Sequence, residues 1–259
     1  MSVTFNSSST IINTQSFDNS GSASYPLVLD GSTAEKAAPS ANHLKFKAGV
    51  STNGMYYLNP GGLGANLFYV DFTFDSTRAW VMVIANRAYT GGMANLTYAN
   101  ATGPNINTSG TYNSSLGFNL WVGLDYWPYL GNTVNQYVYS SATGLSGTHT
   151  KRARWKFSGW SSTYAFLYPR GLTVDVGSGN PGWYAYHAAN GFSLTTYNND
   201  QDAYGANCST SYGNNPWWYG ACWDGNYFAG GGYPDAPFWS GSGGDYHNYG
   251  AAFLSFTDV

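Results

Sequence analysis

Residues Asn190–Tyr233 read NGFSLTTYNNDQDAYGANCSTSYGNNPWWYGACWDGNYFAGGGY and form the most informative stretch of the 259-residue chain. The stretch contains both cysteines of the chain together with dense Asn, Asp, Gly and aromatic residues. Asn, Asp, Ser and Gly at this density predict long loops rather than a helix or a regular strand. Oxygen donors, aromatic rings and two thiols in one loop region indicate a binding site, a structural site, or both.

The acidic loop, residues 199–206, places side-chain oxygens at Asp200 and Asp202, and the carbonyls of Tyr204 and Ala206 continue the same spacing of two. Ca²⁺ takes six to eight oxygen ligands from carboxylates, carbonyls and water. The loop lacks the central Gly and the final Glu of an EF-hand. An Asx turn without a metal explains the same residue types. The residues alone therefore leave a calcium loop and a metal-free turn both open.

The two cysteines, Cys208 and Cys222, are 14 residues apart. A bridge across a loop of that length contributes about 3 kcal/mol in the chain-entropy model. The alternative is a pair of structural thiols in a reducing compartment. A Cys/His nucleophile has little support, because nothing places His187 or His247 beside a thiol.

Outside this stretch, short apolar runs are separated by Gly, Ser, Asn and Thr, a pattern typical of a β-rich fold. One helix is predicted over Thr33–Lys45, capped by Ser32 or Thr33 and limited in length by Pro39. The predicted strands are Tyr25–Leu29, Met55–Leu58, Leu67–Phe74, Ala79–Ile84, Phe118–Val122, Val134–Tyr139, Arg154–Phe157, Tyr164–Leu167, Leu172–Val176 and Ala251–Phe256.

Composition excludes several classes of protein. Aromatic residues make up 18% of the chain, which excludes a disordered protein, and charged residues make up only 9%. Residues 1–170 carry ten basic and six acidic residues, whereas residues 171–259 carry seven Asp and no Lys or Arg. Those seven carboxylates either spread over solvent or gather around a cation. So few basic residues disfavour nucleic acid as a partner, and no apolar run is long enough for membrane insertion.

Residues 200–232 contain, in order, Asp200-Gln201-Asp202, Asn207-Cys208, Trp217-Trp218-Tyr219-Gly220-Ala221-Cys222, Gly225-Asn226-Tyr227-Phe228 and the glycines 230–232. These motifs resemble the C-terminal half of a fibrinogen-like domain, the family of fibrinogen chain ends, ficolins and tachylectins. Upstream, Asn53–Pro60 and Phe118–Gly123 resemble two further strands of that family, so the resemblance covers roughly residues 48–257. It implies a β-rich α+β fold with a twisted antiparallel sheet, few short helices and a long-loop calcium and ligand subdomain.

The resemblance implies a calcium site and a disulfide. It makes Ca²⁺ the cofactor and makes Cys208–Cys222 the second disulfide of the family, whereas the first family disulfide is absent because no cysteine precedes Cys208. The calcium ligands that it implies are the side chains of Asp200 and Asp202 and the backbone carbonyls of Tyr204 and Ala206.

A small ligand pocket beside the calcium loop is also implied, for acetyl groups or terminal peptides. In the family a cis peptide before the second cysteine forms its floor, which predicts a cis bond between Ala221 and Cys222. Tyr219, Trp223 and Asp235 would supply the walls. Trp223 stands where the family commonly has His. The loop between Cys222 and Asn226 is several residues shorter than in the family.

The aromatic residues of this region allow two interpretations. Rings beside Asp and Asn side chains stack on sugars while the polar groups bond the hydroxyls. Trp217 and Trp218 are instead expected in the core, since a Trp ring is chiefly a large apolar surface. We expect no enzyme, because the acids of the loop look committed to a cation and the lone glutamate, Glu35, lies far upstream.

Residues 1–31 form a polar Ser/Asn/Thr-rich arm, and residues 32–259 form the fibrinogen-like domain, with the calcium and ligand subdomain at about 178–250. The arm is either a flexible tail or a strand that anchors the domain in an assembly. No signal peptide follows Met1, so we expect synthesis in a cytoplasm. The arm, the low charge and residues 30–45 resemble bacterial and bacteriophage versions of the domain.

These features together predict a phage virion fibre or decoration protein at the virion surface. Its expected partners are host-surface glycans or acetylated groups, other virion proteins through residues 1–31, and further copies of itself, with a trimer possible. A secreted calcium-dependent lectin is the alternative. A decoration protein without any ligand is another.

Overall fold

The computed structural model describes residues 28–74, 76–87, 93–110, 118–131, 135–141, 151–157, 169–176, 193–211, 213–222 and 249–255. The helices within these ranges are α1 (Ala41–Phe46), α2 (Tyr98–Thr102), α3 (Trp127–Leu130) and α4 (Cys208–Ser211), with 3-10 turns at Pro60–Gly62 and Leu124–Tyr126. The strands are β1 (Gly54–Leu58), β2 (Asn66–Asp71), β3 (Trp80–Arg87), β4 (Ile106–Gly110), β5 (Phe118–Val122), β6 (Asn135–Ser141), β7 (Lys151–Phe157), β8 (Pro169–Val176) and β9 (Tyr249–Ser255).

All strand pairs of the described sheet are antiparallel, in the order β1-β2-β3-β9-β6-β7-β8. The pair β4–β5 joins this path through β3, where Ile84 lies opposite Trp121. On its other edge β3 pairs with β9, where Val81 lies opposite Leu254. The acidic loop belongs to the chain between β8 and β9, so strands of the sheet hold both ends of that region.

The core lies around β3 and β5. In β3 the residues from Trp80 to Asn86 are all buried, and in β5 so are all five residues from Phe118 to Val122. Such continuous burial shows that both faces of these strands are covered. On one side Phe74 packs edge-on against Phe253, with ring centroids 4.7 Å apart. Buried aromatic rings therefore supply much of the apolar area that stabilises the fold.

Eight of the ten predicted strands are present, and Phe118–Val122 has the predicted bounds. The prediction over Leu67–Phe74 is too long, because β2 ends at Asp71. There the Asp71 carboxylate accepts hydrogen bonds from the backbone N–H groups of Thr73 and Phe74 at 2.7 and 3.1 Å and turns the chain. Of the first predicted strand, residues 28 and 29 are not in a strand, and its other residues lie outside the described ranges, as does all of 164–167.

The predicted helix Thr33–Lys45 is wrong in its first half, because α1 begins at Ala41, after Pro39. Proline disfavours the helical conformation in the residue before it. That residue, Ala38, instead forms a parallel bridge with Leu58 at the end of β1. The helix is capped by Ser40, whose Oγ accepts from the backbone N–H of His43 at 3.1 Å.

Strand β4, with the sequence INTSG, was not predicted, because four of its five residues are Asn, Thr, Ser and Gly. It forms by pairing residue for residue with the buried strand β5. Next to this pair, Gly123 lies so close to the carbonyl of Gly103 that an added Cβ would overlap its oxygen. A side chain at position 123 would thus force apart the chain segments that flank β4 and β5.

The fold class predicted from the sequence, a β-rich domain with a twisted antiparallel sheet and few short helices, is confirmed. Within the described ranges, every helix is too short or too polar to cross a lipid bilayer.

Candidate functional site

The acidic loop is fixed at its base by the buried residue Thr195. Its backbone N–H donates to the carbonyl of Trp217 at 2.9 Å, and Trp217 N–H donates back at 3.1 Å. The Thr195 hydroxyl oxygen also accepts from the backbone N–H of Gln201 at 3.1 Å, just inside the loop. The base of the loop is thus held by the core, whereas residues 203–206 are exposed.

The two aspartates shape the turn through their own side chains. Oδ1 of Asp200 accepts from the N–H of Asp202 at 3.3 Å, and Oδ1 of Asp202 accepts from the N–H of Tyr204 at 3.0 Å. Oδ2 of Asp202 accepts from the N–H of Cys208 at 2.9 Å. The first two contacts are Asx turns, one of the two interpretations that the residues left open, and the third ties Asp202 to the start of α4.

The hydrogen bonds of the acidic loop do not use all the acceptor positions of its carboxylates, so the same oxygens could also bind a cation. An ionised carboxylate offers about four acceptor positions, and the Asp202 bonds to Tyr204 and Cys208 use two of them. Burial raises the pKa of the Asp202 carboxyl, hydrogen bonds from Cys208 and Tyr204 lower it, and the neighbouring Asp200 raises it. The two carboxylates therefore repel each other across the turn.

The donor set consists entirely of oxygen. Among the described residues no three His, Cys, Asp or Glu side chains gather into a metal-binding group. A cation at the acidic loop would therefore depend on Asp200 and Asp202 plus the carbonyls of Tyr204 and Ala206, two residues that lie at the exposed surface. Such hard oxygen ligands suit Ca²⁺ and are a poor match for Zn²⁺ or copper.

Helix α4 follows the loop directly and is joined to it by Asn207. The Oδ1 atom of Asn207 accepts from the N–H of Thr210 at 3.0 Å, which caps the helix. Its Nδ2 atom donates to the carbonyl of Thr196 at 2.9 Å, on the other side of the loop. The Asn-Cys dipeptide of the sequence motif thus closes the loop and starts the helix.

Cys208 and Cys222 form a disulfide, as the resemblance implied. Cys208 is fully buried at the start of α4, whereas Cys222 is partly exposed. The bridge links the end of the acidic loop to the segment that follows the aromatic run. It closes the intervening chain into a loop of defined size.

The predicted cis bond between Ala221 and Cys222 is wrong, because no described peptide bond is cis. Cys222 instead has a φ of 73°, in the left-handed region that residues with a Cβ seldom adopt. An isolated antiparallel β-bridge pairs Gly220 with Cys222 at this turn. The chain therefore reverses direction at the second cysteine through a left-handed residue rather than a cis peptide.

Trp217 and Trp218 lie in the core, as expected. Trp218 stacks on Trp121 of β5, with ring centroids 5.4 Å apart and an interplanar angle of 29°. It also packs against Trp127, at 5.7 Å. Tyr219 is buried as well, and its hydroxyl donates to the carbonyl of Asn215 at 3.2 Å. The aromatic run thus attaches the loop region to the sheet.

Among the residues expected to contact a ligand, Tyr219 is buried and Ala221 is exposed next to the disulfide. Trp223 and Asp235 lie outside the described residues. The ring of Tyr204 was assigned no role from the sequence, which gave this residue only a carbonyl ligand. It is 54% exposed and stands on the acidic loop.

A polar contact with a distant segment was also missed. Asn215 is buried, and its Oδ1 accepts from the N–H of Met93 at 3.0 Å. Next to it, Asn95 and Asn214 both have positive φ, 65° and 59°, and Nδ2 of Asn214 donates to Oδ1 of Asn95 at 2.8 Å. Asn tolerates the left-handed conformation better than most residues. The Asn-Asn pair at 214–215 was therefore the feature of the sequence that could have indicated a left-handed turn here.

No family model matches the chain. It is 29% identical over 203 residues to "Fibrinogen-like protein A" of Apostichopus parvimensis, and the match covers 74% of this chain and 65% of that protein. The chain therefore spans just under two thirds of the length of this relative.

Solved structures show the same fold. The fibrinogen-like globe domain of human ANGPTL2 superposes with a TM-score of 0.61 at 19% identity, covering 83% of this chain and 98% of that domain. A lamprey fibrin D-dimer in complex with the peptide ligand Gly-His-Arg-Pro-amide superposes with a TM-score of 0.63 at 16% identity, covering 88% and 77%. The fold is therefore that of the fibrinogen C-terminal domain, and the curated relative agrees with this fibrinogen-like class.

Proposed function

We propose that this chain is a non-enzymatic, calcium-stabilised recognition protein of a phage virion, a fibre or decoration component that binds host-surface glycans or acetylated groups. The observation that carries the proposal is the acidic loop, in which Asp200 and Asp202 share one turn and the Cys208–Cys222 disulfide closes the chain beside it. This places hard oxygen donors at the surface of a domain whose fold resembles a protein solved with a peptide ligand.

Calcium would act in the loop by neutralising repulsion. Asp202 and Asp200 are close enough for one to raise the pKa of the other, and a divalent ion bound between them would remove that repulsion. The N–H of Cys208 already holds one oxygen of Asp202. Bound calcium would thus stabilise the loop and the start of α4 together.

The ligand would bind beside this loop, where the exposed Tyr204 ring and the partly exposed Cys222 lie at the surface. An exposed aromatic ring next to carboxylate and backbone polar groups is the usual surface for a sugar or an acetyl group. The left-handed backbone at Cys222 supports a binding role, since strained residues cluster at such sites.

A catalytic role has less support. Glycoside hydrolysis needs two acids that face each other across a bond, one of them able to donate a proton. Asp200 and Asp202 lie two residues apart on one turn, and their oxygens bond backbone N–H groups. We therefore propose binding without chemistry.

Calcium is tested by thermal melting with 2 mM CaCl₂ and with EDTA. We expect calcium to raise the Tm, since a ligand at 100 times its Kd adds about 2.7 kcal/mol of stability. Asp200→Asn and Asp202→Asn should remove most of this rise, whereas the control Asp30→Asn, a half-buried aspartate far from the loop in sequence, should keep it. An identical melt of the wild-type protein in calcium and in EDTA would contradict the metal assignment.

Ligand binding is tested on an array of neutral, acetylated and acidic glycans, with and without calcium. Calcium-dependent binding of acetylated glycans, lost in Asp202→Asn, would support the proposal. An array without any bound spot would favour the second candidate, a decoration protein without a ligand.

The virion assignment rests on the polar arm and on the way in which the chain enters the domain. Gly31 accepts from the N–H of Tyr57 and donates to the carbonyl of Lys36, both at 2.9 Å, so the chain is fixed to β1 where the arm ends. We expect deletion of residues 1–31 to leave a folded domain that no longer assembles, measured by light scattering. A deleted protein that assembles normally would favour the alternative, a secreted lectin.

A further inference from the structure

We propose that Asn198 is a positioning residue of the acidic loop: it holds the loop against helix α2, and this contact raises the affinity of the loop for calcium. The inference rests on the calcium site proposed above. Oδ1 of Asn198 accepts from the backbone N–H of Tyr98, the first residue of α2, at 2.9 Å. The two residues are 100 positions apart in the sequence, so only the folded chain brings them together.

Asn198 lies in a tight turn that leads directly into Asp200. The N–H of Thr196 donates to the carbonyl of Asn199 at 3.0 Å, and the N–H of Asn199 donates back at 3.1 Å. Thr196 is fully buried, and its hydroxyl donates to Oδ1 of Asn198 at 3.0 Å. The turn is therefore fixed by the buried Thr196 on one side and by Tyr98 on the other, just before the first carboxylate of the site.

The oxygen of Asn198 is fully used by these two contacts. A carboxamide oxygen has two acceptor positions, and here one accepts from Tyr98 and the other from Thr196. The amide nitrogen of the same side chain only donates and cannot bind a cation. Asn198 would therefore act on a bound ion through the position of Asp200, without being a ligand itself.

Helix α2 is a firm support, because other contacts fix it on both sides. The carbonyl of Ala101 in α2 accepts from Nε1 of Trp121, a fully buried residue of β5, at 3.0 Å. Before the helix, the N–H of Asn95 donates to the carbonyl of Asn214 at 3.1 Å. The contact at Asn198 thus joins the acidic loop to a helix that a buried strand of the sheet holds in place.

A fixed turn should favour calcium because the ion needs both carboxylates of the loop at once. The carboxylates of Asp200 and Asp202 repel each other, so a loop released from α2 would lose binding free energy to the cost of ordering them. Residues that orient metal ligands without touching the metal contribute about 10- to 100-fold to metal affinity. The effect expected of Asn198 lies in this range.

The first test measures the Kd for calcium by titration calorimetry on the full chain. Asn198→Ala should bind calcium at least about tenfold more weakly, while its Tm in EDTA falls by about 3 °C or less. Asn198→Asp keeps an oxygen for both contacts, so it should bind as tightly as wild type or more tightly. The matched control is Asn100→Ala in α2, since Asn100 is exposed and contacts Thr97 and Asn107 through its backbone. It should stay within twofold of wild type.

The second test removes the donor on the other side of the contact. Tyr98→Pro lacks the N–H, and proline is tolerated at the first position of a helix. Thr97 already has a ψ of 157°, the extended conformation that a residue before proline adopts. Tyr98→Ala loses the same ring but keeps the N–H, so Tyr98→Pro should bind calcium several times more weakly than Tyr98→Ala. Asn198→Ala should cause no further loss in the Tyr98→Pro protein, because both variants break one contact.

Three results would overturn the inference. Wild-type calcium affinity in Asn198→Ala would show that the contact with α2 does not position the ligands, and the calcium site would stand without it. Equal weakening in Asn198→Ala and Asn198→Asp would mean that the side-chain oxygen is not what matters. A wild-type protein that binds no calcium would remove the calcium site itself and this inference with it.

Discussion

The strands β3 and β5 and the acidic loop are held by different forces. Nearly every side chain of the two strands is buried, so apolar area holds them in place. Residues 203–206 of the loop are exposed, and the loop is shaped by Asp side chains that bond backbone N–H groups. The stability of the buried scaffold should therefore not depend on dissolved ions. A loop shaped by carboxylates should instead respond to cations or protons that neutralise those carboxylates.

Trp218 joins these two regions, so its removal should have the largest effect. It is fully buried and stacks on Trp121 of the scaffold while it belongs to the segment before Cys222. We expect Trp218→Ala to lower the free energy of unfolding by about 3–5 kcal/mol, measured by urea denaturation. Trp218→Phe keeps an aromatic ring and should lose clearly less. A loss below 1 kcal/mol in the Ala variant would mean that the loop region is not part of the core.

The disulfide should come next, because it constrains the loop region alone. Replacement of both cysteines, Cys208→Ala/Cys222→Ala, removes the closure of 14 residues and should cost about 3 kcal/mol. We expect reducing agent to lower the Tm of the wild-type protein and to leave that of the double variant unchanged. Calcium should also protect the double variant less, because the N–H of Cys208 that holds Asp202 would be less well placed. An equal calcium-dependent rise in Tm in both proteins would show that calcium binding does not depend on the disulfide.

The scaffold was more predictable from sequence than the site. β5 was predicted within its bounds because apolar and aromatic residues fill it and turn residues flank it. β4 was missed because its INTSG sequence has low strand propensity, and pairing with β5 overrides that preference. The false first half of the predicted helix shows that Pro39 acts on the residue before it as well as on helix length.

In the site, local motifs predicted the disulfide and the composition of the acidic loop. The contacts from Met93 and Asn95 to Asn215 and Asn214 were not predictable, since about 120 residues separate the partners in sequence. The conformation at Cys222 was mispredicted because the sequence of a turn does not distinguish a cis bond from a left-handed residue. Short-range chemistry is thus encoded locally, whereas docking between distant loops depends on the finished fold.

High pH should destabilise the scaffold through Tyr69, a buried residue of β2. Burial and the nearby Asp71 raise the pKa of Tyr69 in β2 to about 12. The neutral hydroxyl is therefore favoured by folding, and this stability is fully present below pH 10 and is lost as the pH rises from about 10 to 12. We expect the wild-type protein to lose stability more steeply in that range than Tyr69→Phe, measured by urea denaturation at each pH. Parallel curves for the two proteins would show that Tyr69 ionises at its ordinary pKa.

Tyr204 gives the smallest expected effect on stability and the sharpest test of the contrast between the regions. Its ring is 54% exposed on the acidic loop, and its role in the turn is carried by its backbone N–H, which bonds Asp202. Tyr204→Ala keeps that N–H, so the free energy of unfolding should change by about 0.5 kcal/mol or less and the calcium-dependent rise in Tm should persist. If the ring lines the ligand site, the same variant should lose glycan binding. A variant that binds as wild type would remove the ring from the ligand site, whereas a loss of several kcal/mol would mean that the loop is packed as tightly as β3 and β5.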